Sequence, residues 1–203
     1  MARRPIFFDT ETTGTNPKSD RIIELAAYDS ERNRSFEMLI NPGIPIPPET
    51  IAIHQITDAM VRDAADFATV ASEFVAFCDG DVALVAHNAD SFDTPFLRHE
   101  FIRHGMQVPS DWLFLDSLKW ARRYRKDLPR HSLQFLRQTY GIAANQAHRA
   151  LNDVMVLYDV FKAMTDDLTC DQILNLLMIT ASSQEQAPEV VPQNTTERVL
   201  NLF

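Results

Sequence analysis

The stretch Ile6-Phe7-Phe8-Asp9-Thr10-Glu11-Thr12-Thr13-Gly14 decides how the rest of the chain is read. Three large apolar residues run straight into two carboxylates. In an extended strand alternate residues share a face, so Asp9 and Glu11 project to one side. Like charges held beside a core are costly unless a metal ion or a basic partner neutralises them. Whatever lies between these two acids has to come from elsewhere in the sequence or from solution.

Working outward, Pro5 to Asp9 is the first of three strand-like stretches. Ile22 to Tyr28 and Ser35 to Ile40 follow across short polar segments, which predicts an antiparallel meander. The Pro-rich segment 41–50 is expected to be extended and to lead into short helical pieces at Ile51–His54 and Thr57–Val61. Ala68–Cys78 has helical spacing, with Val70, Phe74, Val75 and Phe77 on its apolar side. Val82–Ala86 reads as a buried central strand and Trp112–Leu115 as a short one. Between them a helix is predicted from Pro95 to His104, with Thr94 as N-cap and Pro95 at the first helical position. Further helices are expected near Ser117–Tyr124, Ser132–Tyr140 and Ala150–Met164. The order β-β-β-α-β-α-β-α-α gives an α/β domain on a mixed sheet. Residues 181–195 are polar with two prolines and read as a flexible tail.

The 203 residues fit one domain with a short appendage, and 45% apolar residues are enough for a core. A net charge of -9 excludes a global positive field, so a polyanion would be gripped through a local basic patch or metal ions. The cysteines Cys78 and Cys170 are too few for a disulfide framework and fit a reducing cytosol. The basic start is followed by strand-like, then acidic sequence rather than a signal segment, and no apolar run approaches membrane-spanning length. The expectation is a cytoplasmic protein with no membrane partner.

Two later segments supply more acids. Asp93 ends His87-Asn88-Ala89-Asp90-Ser91-Phe92-Asp93, just before a helix start. In His148-Arg149-Ala150-Leu151-Asn152-Asp153 the histidine precedes a helix and the aspartate lies in its first turns. With Asp9 and Glu11 this makes four carboxylates and a histidine, each at the edge of an apolar element. Here the chain resembles the DEDDh branch of the DnaQ-like 3′-5′ exonucleases, within the ribonuclease H-like superfold. Asp9-Thr10-Glu11-Thr12-Thr13-Gly14 and His148-x-Ala150-x-x-Asp153 are full matches to the first and third motifs. The second motif is one residue longer than in many members, in the manner of TREX-type enzymes. Asp93 is taken as its acid because it follows Phe92 and opens a helix, whereas Asp90 suits a turn. The sister branch has tyrosine where this chain has Arg149, which favours the histidine branch.

The resemblance covers roughly residues 5–165 and implies a five-stranded mixed sheet flanked by helices. The domain division it suggests is an exonuclease domain at 1–165, a helical appendage at 166–180 and a tail at 181–203. It also implies two Mg²⁺ or Mn²⁺ ions that bind the attacking and leaving oxygens and neutralise the phosphate. In that scheme Asp9 bridges the ions, Glu11 and Asp153 hold the nucleophile side, and Asp93 serves the leaving-group side. His148 is the general base, since an imidazole near pKa ~6.5 is mostly neutral at physiological pH. Thr12, Thr13 and Gly14 are expected to border the terminal nucleotide. His54 would meet its sugar or phosphate, Ile56 would lie under its base, and Asn88 would contact substrate. Helix capping by His54 and loop support by Asn88 are the alternatives.

Lys119, Arg122, Arg123, Arg125, Lys126 and Arg130 fall in twelve residues with one acid, Asp127. This run is either a solvated helix face or a track for the substrate backbone, with Arg122 and Arg125 foremost. The closing RVLNLF resembles the Leu-x-Leu-Phe pegs that dock on sliding clamps, with Leu200, Leu202 and Phe203 as contacts; a tail folded onto the domain is the alternative. The Ile53-His54-Gln55-Ile56-Thr57 loop looks like those of polymerase-proofreading and exonuclease X types, which favours DNA 3′ ends. An RNA 3′ exonuclease and a non-catalytic polymerase- or clamp-binding adaptor are the competing readings.

Overall fold

The computed structural model describes residues 3–143 and 149–169, together with Gln172. Strands β1 (Arg4–Thr12), β2 (Ile22–Asp29) and β3 (Arg34–Leu39) form the expected antiparallel meander. Helices α1 (Pro48–His54), α2 (Asp58–Val61) and α3 (Phe67–Phe77) precede β4 (Val82–Ala86). Then come α4 (Asp93–Arg103), β5 (Leu113–Asp116), α5 (Ser117–Tyr124), α6 (Leu133–Thr139) and α7 (Ala150–Asp166). The sheet order is β3-β2-β1-β4-β5, with β4 and β5 parallel to β1, so the mixed five-stranded sheet is present.

The pleat divides β1 between two cores. Ile6 and Phe8 join Leu25, Leu84, Phe74 and Phe96 beneath α3 and α4. Phe7 faces the other way, with Val85, Val154 and Leu157, and its ring meets Tyr158 and Phe161 edge-on at 5.3 and 5.1 Å. Burying a side chain of this kind contributes roughly 1.5–3 kcal/mol, so Phe7 is one of the contacts that seat α7 on the sheet.

Three local expectations change. β1 runs on to Thr12 instead of ending at Asp9, because its antiparallel ladder with β2 continues to Thr12 while the parallel ladder with β4 stops at Phe7 and Val85. The Pro-rich segment is extended only to Pro47, and Pro48 opens α1, where a missing N–H costs nothing. α4 begins at Asp93 after a bend at Phe92, so Thr94 is inside the helix and not its cap. The Thr94 amide donates to the Ala89 carbonyl at 2.9 Å, which closes the turn. The appendage from 170 on, other than Gln172, and the tail 181–203 lie outside the described residues.

Candidate active site

The end of β1 that outlasts β4 carries the acids. Asp9 and Glu11 share the face of Phe7, under α7, and Asp153 lies in the first turn of α7. Carboxylate oxygens of Asp9, Glu11 and Asp153 lie within 4.8 Å of one another. Thr10 points to the opposite face, where its hydroxyl donates to Asp93 Oδ1 at 2.8 Å. Asp93 is buried at the first position of α4. Both helix-borne acids therefore sit where the helix dipole favours negative charge. A shift of register at Glu11/Thr12 ends the ladder with a bulge, a device that redirects side chains beside functional sites.

These acids repel one another. Burial, then the charges of Asp93, Glu11, Asp153 and Glu24, push the Asp9 carboxyl well above the usual range. Glu11 is pushed up to about 8 by burial and by Glu24, Asp153 and Asp93, with Arg149 opposing. Asp93 is pushed up to about 7 by burial, against the stabilising hydrogen bond from Thr10. An all-oxygen cluster that would otherwise hold protons suits a hard divalent cation.

Sequence reasoning missed the residues that hold these acids. Glu24 lies opposite Glu11 in the β1–β2 ladder and is fully buried. Its Oε1 accepts from Arg149 Nη2 at 2.9 Å and its Oε2 from the Ala150 amide at 3.0 Å. The Gln134 amide donates to Asp153 Oδ1 at 3.3 Å. Asp116 accepts from the amides of Asn88 and Asp90, at 3.0 and 3.3 Å, and so shapes the loop before Asp93. Glu24 had a signal: one acid inside the apolar run Ile22-Ile23-Glu24-Leu25-Ala26 demands a partner.

Thr12 and Thr13 are buried and shape the turn after β1. The Thr12 hydroxyl donates to the Gly14 carbonyl at 2.6 Å, and Thr13 Oγ1 accepts from the Arg21 amide at 3.0 Å. A side chain at Gly14 would overlap the Asp20 carboxylate. His54 is buried and its Nδ1 accepts the Ile56 amide at 3.0 Å. Ile56 departs from expectation: it is fully buried with Ile23, Ile46 and Val61, so it supports the loop from below and offers no face to a base.

Asn88, in a left-handed conformation at φ 75°, lines a cleft of about 600 Å³ with His87, Arg122, Arg130 and His131. His87 bridges Ser117 Oγ and the His131 carbonyl, both at 2.9 Å, and burial lowers its pKa. Arg125 is bound to Asp127 at 3.0 Å and to the Tyr140 hydroxyl at 2.5 Å, and Lys119 pairs with Asp90. His148, Leu200, Leu202 and Phe203 lie outside the described residues.

The family model described as Exonuclease (RNase_T) matches residues 6–161. The chain belongs to this exonuclease family, of DnaQ-like type. Exonuclease DPD1, chloroplastic/mitochondrial, of Arabidopsis thaliana is 38% identical over 179 residues, covering 80% of this chain and 56% of that protein. The PolC-type DNA polymerase III of Staphylococcus aureus is 35% identical over 173 residues, covering 84% of this chain and 12% of the polymerase. The chain thus spans little more than half the length of the first relative and a small part of the second. An exonuclease X structure, in complex with 5′ overhanging duplex DNA, superposes with a TM-score of 0.61 at 27% identity, covering 85% of this chain and 99% of that one. The fold and the acid-bearing elements lie inside the region this exonuclease family shares. No helix among the described residues is long and apolar enough to cross a membrane.

Proposed function

We propose that the chain is a metal-dependent 3′-5′ exonuclease that trims DNA 3′ ends to nucleoside 5′-monophosphates. The observation that carries this is the convergence of Asp9, Glu11 and Asp153 within 4.8 Å, on a chain of the exonuclease family. Asp9, Glu11, Asp93 and Asp153 would hold two Mg²⁺ or Mn²⁺ ions. Such ions, when bound, neutralise the phosphate and polarise the attacking and leaving oxygens.

The chain's own residues do the remainder. Thr10 fixes Asp93 by a hydrogen bond, and Gln134 fixes Asp153. His148, two residues before the first residue of α7, Ala150, is assigned the proton of the attacking water. Thr12, Thr13 and Gly14 form the turn proposed to border the terminal nucleotide, and His54 is proposed to meet its sugar or phosphate. Asn88 and Arg122 are proposed to meet the strand upstream through the cleft they line. Arg125 is kept as a weaker candidate, because Asp127 and Tyr140 already engage it.

The exonuclease X complex with duplex DNA supports DNA as substrate, and the PolC relative supports association with a polymerase. Residues 1–165 are proposed as the catalytic unit. The terminal peptide is kept as a clamp contact through Leu200, Leu202 and Phe203. The free, buried Cys78 is consistent with a cytoplasmic location. The test uses DNA and RNA oligonucleotides carrying 3′ or 5′ labels, with Mg²⁺. Release of labelled mononucleotide from the 3′ end of DNA, lost on chelation and in Asp9→Ala and His148→Ala, supports the reading. Cleavage from 5′ ends, or activity that survives Asp9→Ala, would overturn it.

A further inference from the structure

We propose that Glu24 is a positioning residue for the divalent-ion site: it grips the start of α7 so that Asp153 stays within reach of Asp9 and Glu11. This rests on the metal-site reading above. Glu24 never faces solvent, and a lone buried carboxylate is expensive. Both of its oxygens are engaged, and both engage the same place. Oε1 takes Arg149 Nη2 at 2.9 Å, and Oε2 takes the Ala150 amide at 3.0 Å. Arg149 is the N-cap of α7 and Ala150 its first residue. The first amides of a helix have no partner inside it, so a carboxylate here satisfies an orphan donor at the positive end of the dipole.

The grip reaches the acid by one further bond. The Arg149 carbonyl accepts the Asp153 amide at 3.1 Å, so the residue that Glu24 holds also starts the turn that ends at Asp153. Arg149 Nη2 additionally faces Glu37 of β3 at 3.7 Å, which ties the same point to a second strand. A slip of one residue would turn α7 by about 100° and carry Asp153 off the face it shares with Asp9. The grip also settles why Glu24, directly opposite Glu11, does not compete as a ligand: its lone pairs are turned towards α7.

The experiment titrates the chelator-stripped full chain with Mn²⁺ by calorimetry and records the melting temperature of each variant without metal. Glu24→Gln is expected to bind Mn²⁺ at least ~10-fold more weakly, the usual cost of losing a residue that orients a ligand. Arg149→Lys, which keeps the charge and loses the fork, should lose less. The deciding variant is Glu24→Gln combined with Asp153→Asn. If Glu24 acts through Asp153, the pair binds no more weakly than Asp153→Asn alone. A pair whose losses multiply would overturn the proposal. So would Glu24→Gln with a lowered melting temperature and wild-type Mn²⁺ affinity, the mark of a merely structural acid. Wild-type affinity in Asp153→Asn would instead remove the metal-site reading, and the proposal with it.

Discussion

Acids gather beside both ends of β1 and are treated in opposite ways. At its start, the fully buried Asp29 is met by Arg4, by Arg34 at 3.7 Å and by Arg32 at 4.0 Å. Arg4 and Arg32 also reach Asp79. The hydrogen bond from Arg32, with the charges of Arg4 and Arg34, holds the Asp79 carboxyl below its ordinary pKa. At its finish, Asp9, Glu11, Asp93 and Asp153 crowd together, and Arg149, which opposes the charge of Glu11, is itself engaged by Glu24. The pKa values of Asp9, Glu11 and Asp93 move up. The first end is neutralised by the protein's own guanidiniums and serves the fold. The second is left for protons or ions from solution, and the fold tolerates the strain because the rest of the sheet is well packed.

The largest test of that contrast is at Asp9. Asp9→Asn should reduce exonuclease activity by ~10³-fold or more, the scale seen when one member of a concerted site is removed. The same substitution should raise the melting temperature of the chelated protein, since it removes an acid repelled by four others. Asp29→Asn should do the reverse: a loss of roughly 3–5 kcal/mol in urea unfolding, because Arg4 and its neighbours lose their shared acceptor, with metal affinity unchanged. If chelated Asp9→Asn melted below wild type, the acids of the site would be holding the fold together and the contrast would be gone.

How far the sequence discloses this contrast depends on the range of the interaction. The face shared by Asp9 and Glu11 follows from strand alternation, and the places of Asp93 and Asp153 follow from helix starts. Glu24, Asp116 and Gln134 were hidden because each acts across a long stretch of chain, on Ala150, Asn88 and Asp153. The length of β1 was misjudged for a related reason: what extends it is pairing with β2, not its own propensity. Ile56 shows the opposite failure. A motif position was read as a contact surface, whereas packing against Ile23, Ile46 and Val61 claims the whole side chain.

Proton linkage sharpens the comparison next. Glu11 and Asp93 move from ordinary values of 4.5 and 3.8 up to about 8 and about 7 in the folded, metal-free chain. Between those limits the native state holds protons that the unfolded state has released. Stability must therefore fall as pH rises through that window. Melting curves in EDTA from pH 5 to 9 should show a steady decline, flattened by saturating Mn²⁺ and shallower in Asp9→Asn. Asp79 acts with the other sign: its depressed pKa contributes stability that is lost only as pH falls below the carboxylate range. A melting temperature flat from pH 5 to 9 in EDTA would mean that the site acids are solvated, not strained.

The smallest expected effect separates basic residues that serve the fold from one that serves the substrate. Arg122 lines the cleft beside Asn88, close in sequence to α5 residues that pack the core, and Arg32 lies in the ion-pair network at the far end. In a cleavage-dead Asp9→Asn background, Arg122→Ala should weaken single-stranded DNA binding and lower the slope of log affinity against log salt by ~0.7, the share of one phosphate contact. Arg32→Ala should leave both quantities alone. Since the chain carries a net charge of -9, a diffuse attraction cannot supply such a slope, and the contact has to be local. Equal losses from the two arginines would mean that DNA senses the whole basic surface. A loss confined to Arg122 would mark the cleft as the path of the strand leading into the acids of the site.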